Sequence, residues 1–173
     1  VLGLISLIFY LGITSCDRDS PGLRIRPIQP VSYWIRTTLI VASLLLIAIL
    51  AFAAVANGMN WEFPIPRIPP NWATAAFWQM CVIAPIVEEP IYRLTICFPT
   101  TATFGRTAAI LLSGAIFAGL HFVYGNPGPD NFLAGYVLAW AYLKSGSLMV
   151  PIVLHSLGNG VAFAFQLVAW YVA

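Results

Sequence analysis

The stretch Cys81-Val-Ile-Ala-Pro-Ile-Val-Glu88-Glu89-Pro-Ile-Tyr-Arg93-Leu-Thr-Ile-Cys97 decides how this chain is read. Both flanks are apolar, yet Glu88, Glu89 and Arg93 fall within six positions of one another. At the centre of a lone membrane helix each of these charges costs roughly 3 kcal/mol. A chain that keeps them must pair them, wet them or use them.

The rest of the chain fixes the setting. Of 173 residues, 60% are hydrophobic and 8% charged, and the mean hydropathy is +0.87. Soluble domains carry about 25% charged residues, so the composition predicts an all-α, polytopic transmembrane bundle. A net charge of +2 gives no footprint for nucleic acid, because the basic residues lie scattered in loops. The three cysteines (Cys16, Cys81, Cys97) show no metal-type spacing and read as small buried apolar groups. No cofactor motif is present.

Hydropathy divides the chain into about six helices. Val1 to Thr14 is a short apolar run, read as a membrane helix cut off at its start rather than as a signal peptide. A polar connector to Arg36 follows, with Tyr33 and Trp34 at the expected level of an interfacial belt. Thr37 to Asn57 is an uninterrupted span, and a Pro-rich loop leads from it to Asn71, with Trp61 as an interfacial anchor. The third helix runs from near Trp72 to about Phe98, kinked by Pro85 and Pro90. A Thr-rich turn is expected at Pro99 to Arg106, then helices at Thr107–Tyr124, Asn131–Leu143 and Ser147 to about Tyr171. This gives a boundary between residues 1–71, helices and connectors, and 72–173, the core that carries the charges. Gly114 with Ala118 and Gly135 with Ala139 are small pairs that allow close helix approach.

Lys and Arg orient the chain. Arg18, Arg24, Arg26, Arg36, Arg106 and Lys144 fall in alternate loops, and Arg67 alone in the others. That asymmetry predicts the first set as cytoplasmic and the N-terminus outside.

Away from the loops the ionisable groups are Glu88, Glu89, Arg93, His121 and His155, and the chain has no other histidine. A rise of about 1.5 Å per residue puts Glu88 about 16 Å from the cytoplasmic end of its helix. It puts His121 about 21 Å, His155 about 12 Å and Asn159 about 18 Å into theirs. Three helices thus bring polar groups to one slab near the membrane middle. Glu89 and Arg93, four apart, have the spacing of an ion pair, which leaves Glu88 rotated away from that arginine. His155 and Asn159 share a face by the same spacing, and Phe117 lies one turn before His121. A desolvated carboxylate is a stronger base, and imidazole and amide groups can hold a water and stabilise an oxyanion. These are the parts of an amide hydrolase.

The same residues carry a resemblance. Glu-Glu-x-x-x-Arg at 88–93, Phe-x-x-x-His at 117–121 and His-x-x-x-Asn at 155–159, in that order, resemble the three motifs of the CPBP intramembrane proteases. That family includes type II CAAX prenyl endopeptidases and bacteriocin-processing or immunity proteins. The similarity covers roughly 73–165. It implies a membrane-embedded protease with a cavity toward the cytoplasm, in the plasma or inner membrane, acting near the C-terminus of a membrane-associated or lipidated protein. Its partners would be membrane lipid and that substrate. By the same carry-over, Glu88 activates a water that His121 helps to hold. His155 and Asn159 form the oxyanion site, and Glu89, Arg93 and Phe117 support it. Two versions stay open. Glu88 acts as a free base without metal, which is ranked first, or Glu88, His121 and His155 ligate one zinc ion. Two other function classes are kept behind the protease: a non-proteolytic immunity or scaffold protein, and a proton-coupled transporter. No internal repeat of the transporter kind is visible.

Overall fold

The computed structural model describes residues 24–60, 66–126 and 128–171. The expected first span, Cys16 and Trp61 lie outside them. Among the described residues the chain is all-helical, in four continuous runs: α1 (Val31–Gly58), α2 (Pro70–Val123), α3 (Pro129–Ser145) and α4 (Met149–Tyr171). The α2 and α4 runs are long and apolar enough to cross a membrane. Large side chains such as Leu111, Val153, Leu157 and Phe165 stand exposed along them, as a surface facing lipid requires.

The expected six separate helices are therefore corrected in one place that matters. The stretch expected as a Thr-rich turn is helical up to Phe104. The chain breaks only at Gly105, with φ 82° and ψ 175°. That backbone conformation is open almost exclusively to glycine. Threonine favours turns only weakly, and here Thr101 and Thr103 turn their hydroxyls onto the carbonyls of Cys97 and Pro99 one turn back. They satisfy themselves inside the helix. At Gly105 the second arm of α2 (106–123) folds back antiparallel along the first (70–104). Tyr92 meets Phe117 with ring centroids 4.9 Å apart, and Arg93 meets Ser113.

The first arm absorbs its prolines by widening. Two segments, Trp78–Ile83 and Ile91–Cys97, are π-helical, and they flank the regular turns Ala84–Pro90 that carry Glu88 and Glu89. A proline ring collides with the carbonyl four residues before it. For Pro85 and Pro99 those carbonyls are Cys81 and Thr95, each inside a widened segment. Pro90 closes the regular segment between them, and the residue after it keeps helical angles of φ −61° and ψ −55°. Widened turns of this kind concentrate at functional sites.

Two contacts set the remaining helices. The α2 second arm crosses α3 at Gly114 and Gly135, where a Cβ on Gly135 would lie 2.9 Å from Gly114 O. The small residues are there because the backbones nearly touch. Gly146 in the left-handed conformation (φ 62°) ends α3 and returns its N–H to Tyr142 O. A second core cluster joins Trp34, Ala141 and Val150, with the Trp34 ring 6.0 Å from Trp140. Trp34 is thus buried against α3, which supplies a flat apolar partner that the sequence pattern alone does not reveal. Cys81 and Cys97 are free and buried.

Candidate active site

Two adjacent carboxylates on α2 meet different fates. Glu89 is completely buried, as is Arg93. Arg93 Nε donates to Glu89 Oε2 at 2.7 Å, and Arg93 Nη2 to Oε1 at 3.4 Å. Arg93 Nη1 donates to Ser113 Oγ at 2.7 Å and to Gly135 O at 3.4 Å. One guanidinium thus ties the first arm of α2 to its second arm and to α3. A buried charge must be satisfied in this way or not be there.

Glu89 has a second duty. Its Oε1 accepts from His155 Nδ1 at 2.9 Å, so α4 is joined to the same cluster. In the ion pair the carboxylate only accepts, which makes Nδ1 the donor. Spacing within one helix could show the Arg93 pair but not this contact, which spans 66 residues.

Glu88, one position earlier, points elsewhere. Its side chain keeps 31% exposure, and Oε2 has no hydrogen-bond partner among the described residues. Facing it across 3.9 Å is His121 Nε2, 16% exposed. His121 is held on two sides. Its ring stacks on Phe117 at 4.2 Å and 23°, and its Nδ1 lies 2.9 Å from Phe117 O. A carbonyl can only accept, so Nδ1 carries the hydrogen, and in the neutral form of the ring Nε2 turns a lone pair toward Glu88. Phe117 also packs edge-on to His155, with centroids 5.7 Å apart, so both imidazoles rest on one aromatic ring. Asn159 Nδ2 donates one hydrogen to Met80 O at 2.7 Å, inside the first widened segment, and keeps a second.

Six of the seven residues singled out in the sequence are linked by these contacts where the two arms of α2 meet α4, and Asn159, one turn after His155, is joined instead to Met80. Glu88 and His121 form a half-buried pair in which Glu88 Oε2 itself is buried, and Glu89, Arg93 and His155 form a sealed group of three. Sequence reading missed Ser113 and the carbonyls of Gly135 and Met80. Carbonyls leave no trace in sequence. Ser113 had one: it stands four residues before Phe117 and eight before His121, on the same helix face.

Glu88, His121 and His155 do not fit a zinc ion as they stand. Among the described residues no three His, Cys, Asp or Glu side chains converge as metal ligands need to.

An apolar groove of about 680 Å³, lined by none of the seven residues, runs between α2 and α4 and opens on the outer surface at Leu157 and Phe165. Phe77 and Cys81 of α2 line one wall, and Ser156, Gly160, Val161 and Ala164 of α4 the other. Ser156 and Gly160 each follow directly on His155 and Asn159.

Residues 70–161 match the family described as type II CAAX prenyl endopeptidase Rce1-like. The chain belongs to that family. No curated protein and no solved structure matches it. The span of the Rce1-like match opens on the first residue of α2 and closes two residues after Asn159, so it contains every residue of the cluster. The CPBP resemblance drawn from the three motifs agrees with this membership. At the level of the family, the Rce1-like chain is a membrane-embedded protease.

Proposed function

We propose that the chain is an intramembrane endopeptidase in which Glu88 activates water without a metal. The observation that carries this is the pair Glu88 Oε2 and His121 Nε2, 3.9 Å apart. With Glu88 ionised and His121 neutral, both atoms accept hydrogen bonds and neither donates to the other. The distance is too long for a direct bond and suits one bridging water. Such a water gives one O–H to each acceptor and presents its lone pair outward.

From there the chemistry balances. The water oxygen adds to the scissile carbonyl carbon as its proton passes to Glu88. The carbonyl oxygen becomes an oxyanion, and collapse expels the amine, which takes the proton back from Glu88. Asn159 contributes its free Nδ2 hydrogen to the oxyanion. His155 gives Nδ1–H to Glu89, so it stabilises the oxyanion when Nε2 also carries a proton. Glu89 is already paired with Arg93, so the charge of the doubly protonated imidazole is met by the oxyanion itself. Such preorganised donors are worth about 3–4 kcal/mol each in a water-poor site.

The substrate class in this reading follows the type II CAAX prenyl endopeptidase family: a protein cleaved near its C-terminus and carrying an apolar or lipid chain. The groove between α2 and α4 supplies room for that chain. The reading includes a multi-pass inner or plasma membrane location with the basic loops cytoplasmic; contacts at one end support only that these loops share a side. Arg24 N bonds Gly146 O, and the Arg106 guanidinium bonds Leu143 O, which brings both arginines to the end of α3 that carries Lys144.

The test is mass-spectrometric mapping of protein ends in host membranes, for the parent and for Glu88→Gln at matched expression. Ends present in the parent and missing in the variant are expected, and they name the substrate. Identical maps from two folded proteins overturn the reading in favour of a non-proteolytic role.

A further inference from the structure

We infer that Ser113 is a positioning residue for His155, acting through Arg93 and Glu89. Ser113 belongs to none of the three sequence motifs and touches neither histidine in any contact found. Its hydroxyl is fully buried, takes Arg93 Nη1–H at 2.7 Å and directs its own hydrogen to Tyr92 O at 3.4 Å. The lone pair on Oγ is therefore committed to the guanidinium.

The consequence shows in the shape of the Arg93–Glu89 fork. A free arginine–carboxylate pair closes into two parallel bonds of similar length. Here the two differ, 2.7 Å from Nε to Oε2 and 3.4 Å from Nη2 to Oε1. The opposite edge of the guanidinium is held by Ser113 Oγ and Gly135 O, so the fork cannot close. The oxygen left loosely bound by arginine is Oε1, and it is the one that holds His155 Nδ1 at 2.9 Å. The anchor on the far side of Arg93 thus leaves Glu89 Oε1 to His155. Without the Ser113 hydroxyl the guanidinium swings into the symmetric fork, draws on Oε1 and loosens the imidazole. Four groups on three helical segments act in series, and each is at most 7% exposed.

Because the chain has two histidines in all, the imidazole nitrogens can be read one by one. The experiment is ¹⁵N NMR of histidine-labelled, full-length protein in nanodiscs, with His121→Ala as the assignment variant. In the parent, His155 Nδ1 is expected as the protonated ring nitrogen, its hydrogen shielded from exchange with water. Ser113→Ala is expected to shift that resonance and speed its exchange at least tenfold, while Ser113→Thr, which keeps the hydroxyl, restores both. Arg93→Lys cuts the same link from the guanidinium side and is expected to act like Ser113→Ala, so the test survives if one variant fails to fold. A parent in which Nδ1 is the unprotonated nitrogen, or an unchanged signal in either folded variant, overturns the proposal.

The kinetic arm alone rests on the protease reading. Ser113→Ala is expected to lower kcat about tenfold with KM within about twofold, since the misplacement is of a reacting group and not of the substrate site. An altered His155 signal with no cleavage by any form sinks the protease reading and leaves the positioning role standing. An unchanged signal with full cleavage does the reverse.

Discussion

Replacing Gly135 with alanine tests how tightly α3 is built against the second arm of α2. The new methyl would sit 2.8 Å from Phe117 Cβ, 2.9 Å from Gly114 O and 3.1 Å from Gly114 Cα. Two of these atoms are backbone and the third is the first atom of a side chain, so no rotamer change clears them. Carbon atoms rest at about 3.5 Å or more, and the helices must part by about half an ångström. A gap of that size forfeits roughly a quarter of the attraction across the contact. It also takes Gly135 O beyond the reach of Arg93 Nη1, whose bond is already 3.4 Å. Losing a hydrogen bond to a buried charge costs about 1.5–3 kcal/mol, and a long one falls at the lower end. With overpacking at about 1–3 kcal/mol, the expected loss is about 2–4 kcal/mol. Against a stability on the order of 5–15 kcal/mol, the variant still folds and can be measured. Reversible unfolding in mixed micelles of rising denaturing-detergent content gives the difference. Gly160→Ala is the control, because a Cβ there meets nothing within 4 Å. Alanine's helix preference makes that change neutral or stabilising by up to about 1 kcal/mol. If Gly135→Ala and the parent unfold within about 0.5 kcal/mol of each other, the close crossing is not what holds Arg93 in place.

The two neighbouring glutamates are expected to fail differently. Glu89→Gln strands Arg93 without a counter-charge and should cost roughly 3–5 kcal/mol of stability, read by the same unfolding assay. Glu88→Gln should unfold like the parent, within about 0.5 kcal/mol, while cleavage falls by at least about 100-fold. Equal stability losses in both would show that half-buried and sealed carboxylates are not distinct. Ala164→Trp, on the wall of the groove, should raise KM for a substrate with a long apolar chain by about tenfold or more, leaving kcat and a short-chain peptide untouched. Equal effects on both substrates would remove the groove from recognition.

Much of this arrangement is legible in the sequence because helices project it simply. A spacing of four gives the Glu89–Arg93 pair and the Phe117–His121 stack, since both partners ride on one helix face. The α3 and α4 bounds lie within about two residues of those expected from hydropathy, where Gly146 marks the stop. The failures have physical causes too. The turn expected at Pro99 to Arg106 was inferred from composition, whereas the break depends on one residue that tolerates a positive φ. The burial of Trp34 is not legible because its partner, Trp140, is more than a hundred residues away. The Glu89–His155 bond and the Gly135 carbonyl belong to tertiary structure, and no local pattern encodes which carbonyl a guanidinium will find. Nor does hydropathy register a widened helical turn, whose residues are as apolar as their neighbours.

The single-residue hinge at Gly105 has a consequence for how the site is assembled during synthesis. Glu88 and His121 lie on the two arms of one hairpin, Pro70–Val123, joined at Gly105. They therefore leave the ribosome together, ahead of His155 and Asn159. The acidic and basic side chains most costly to the bilayer, Glu89 and Arg93, are four residues apart on the first arm, and Ser113 lies on the arm that follows directly. The hairpin thus carries the neutralising partners of its own charges into the lipid and does not have to wait for helices still to be translated. What it lacks on arrival is the imidazole for Glu89 Oε1, which α4 brings last.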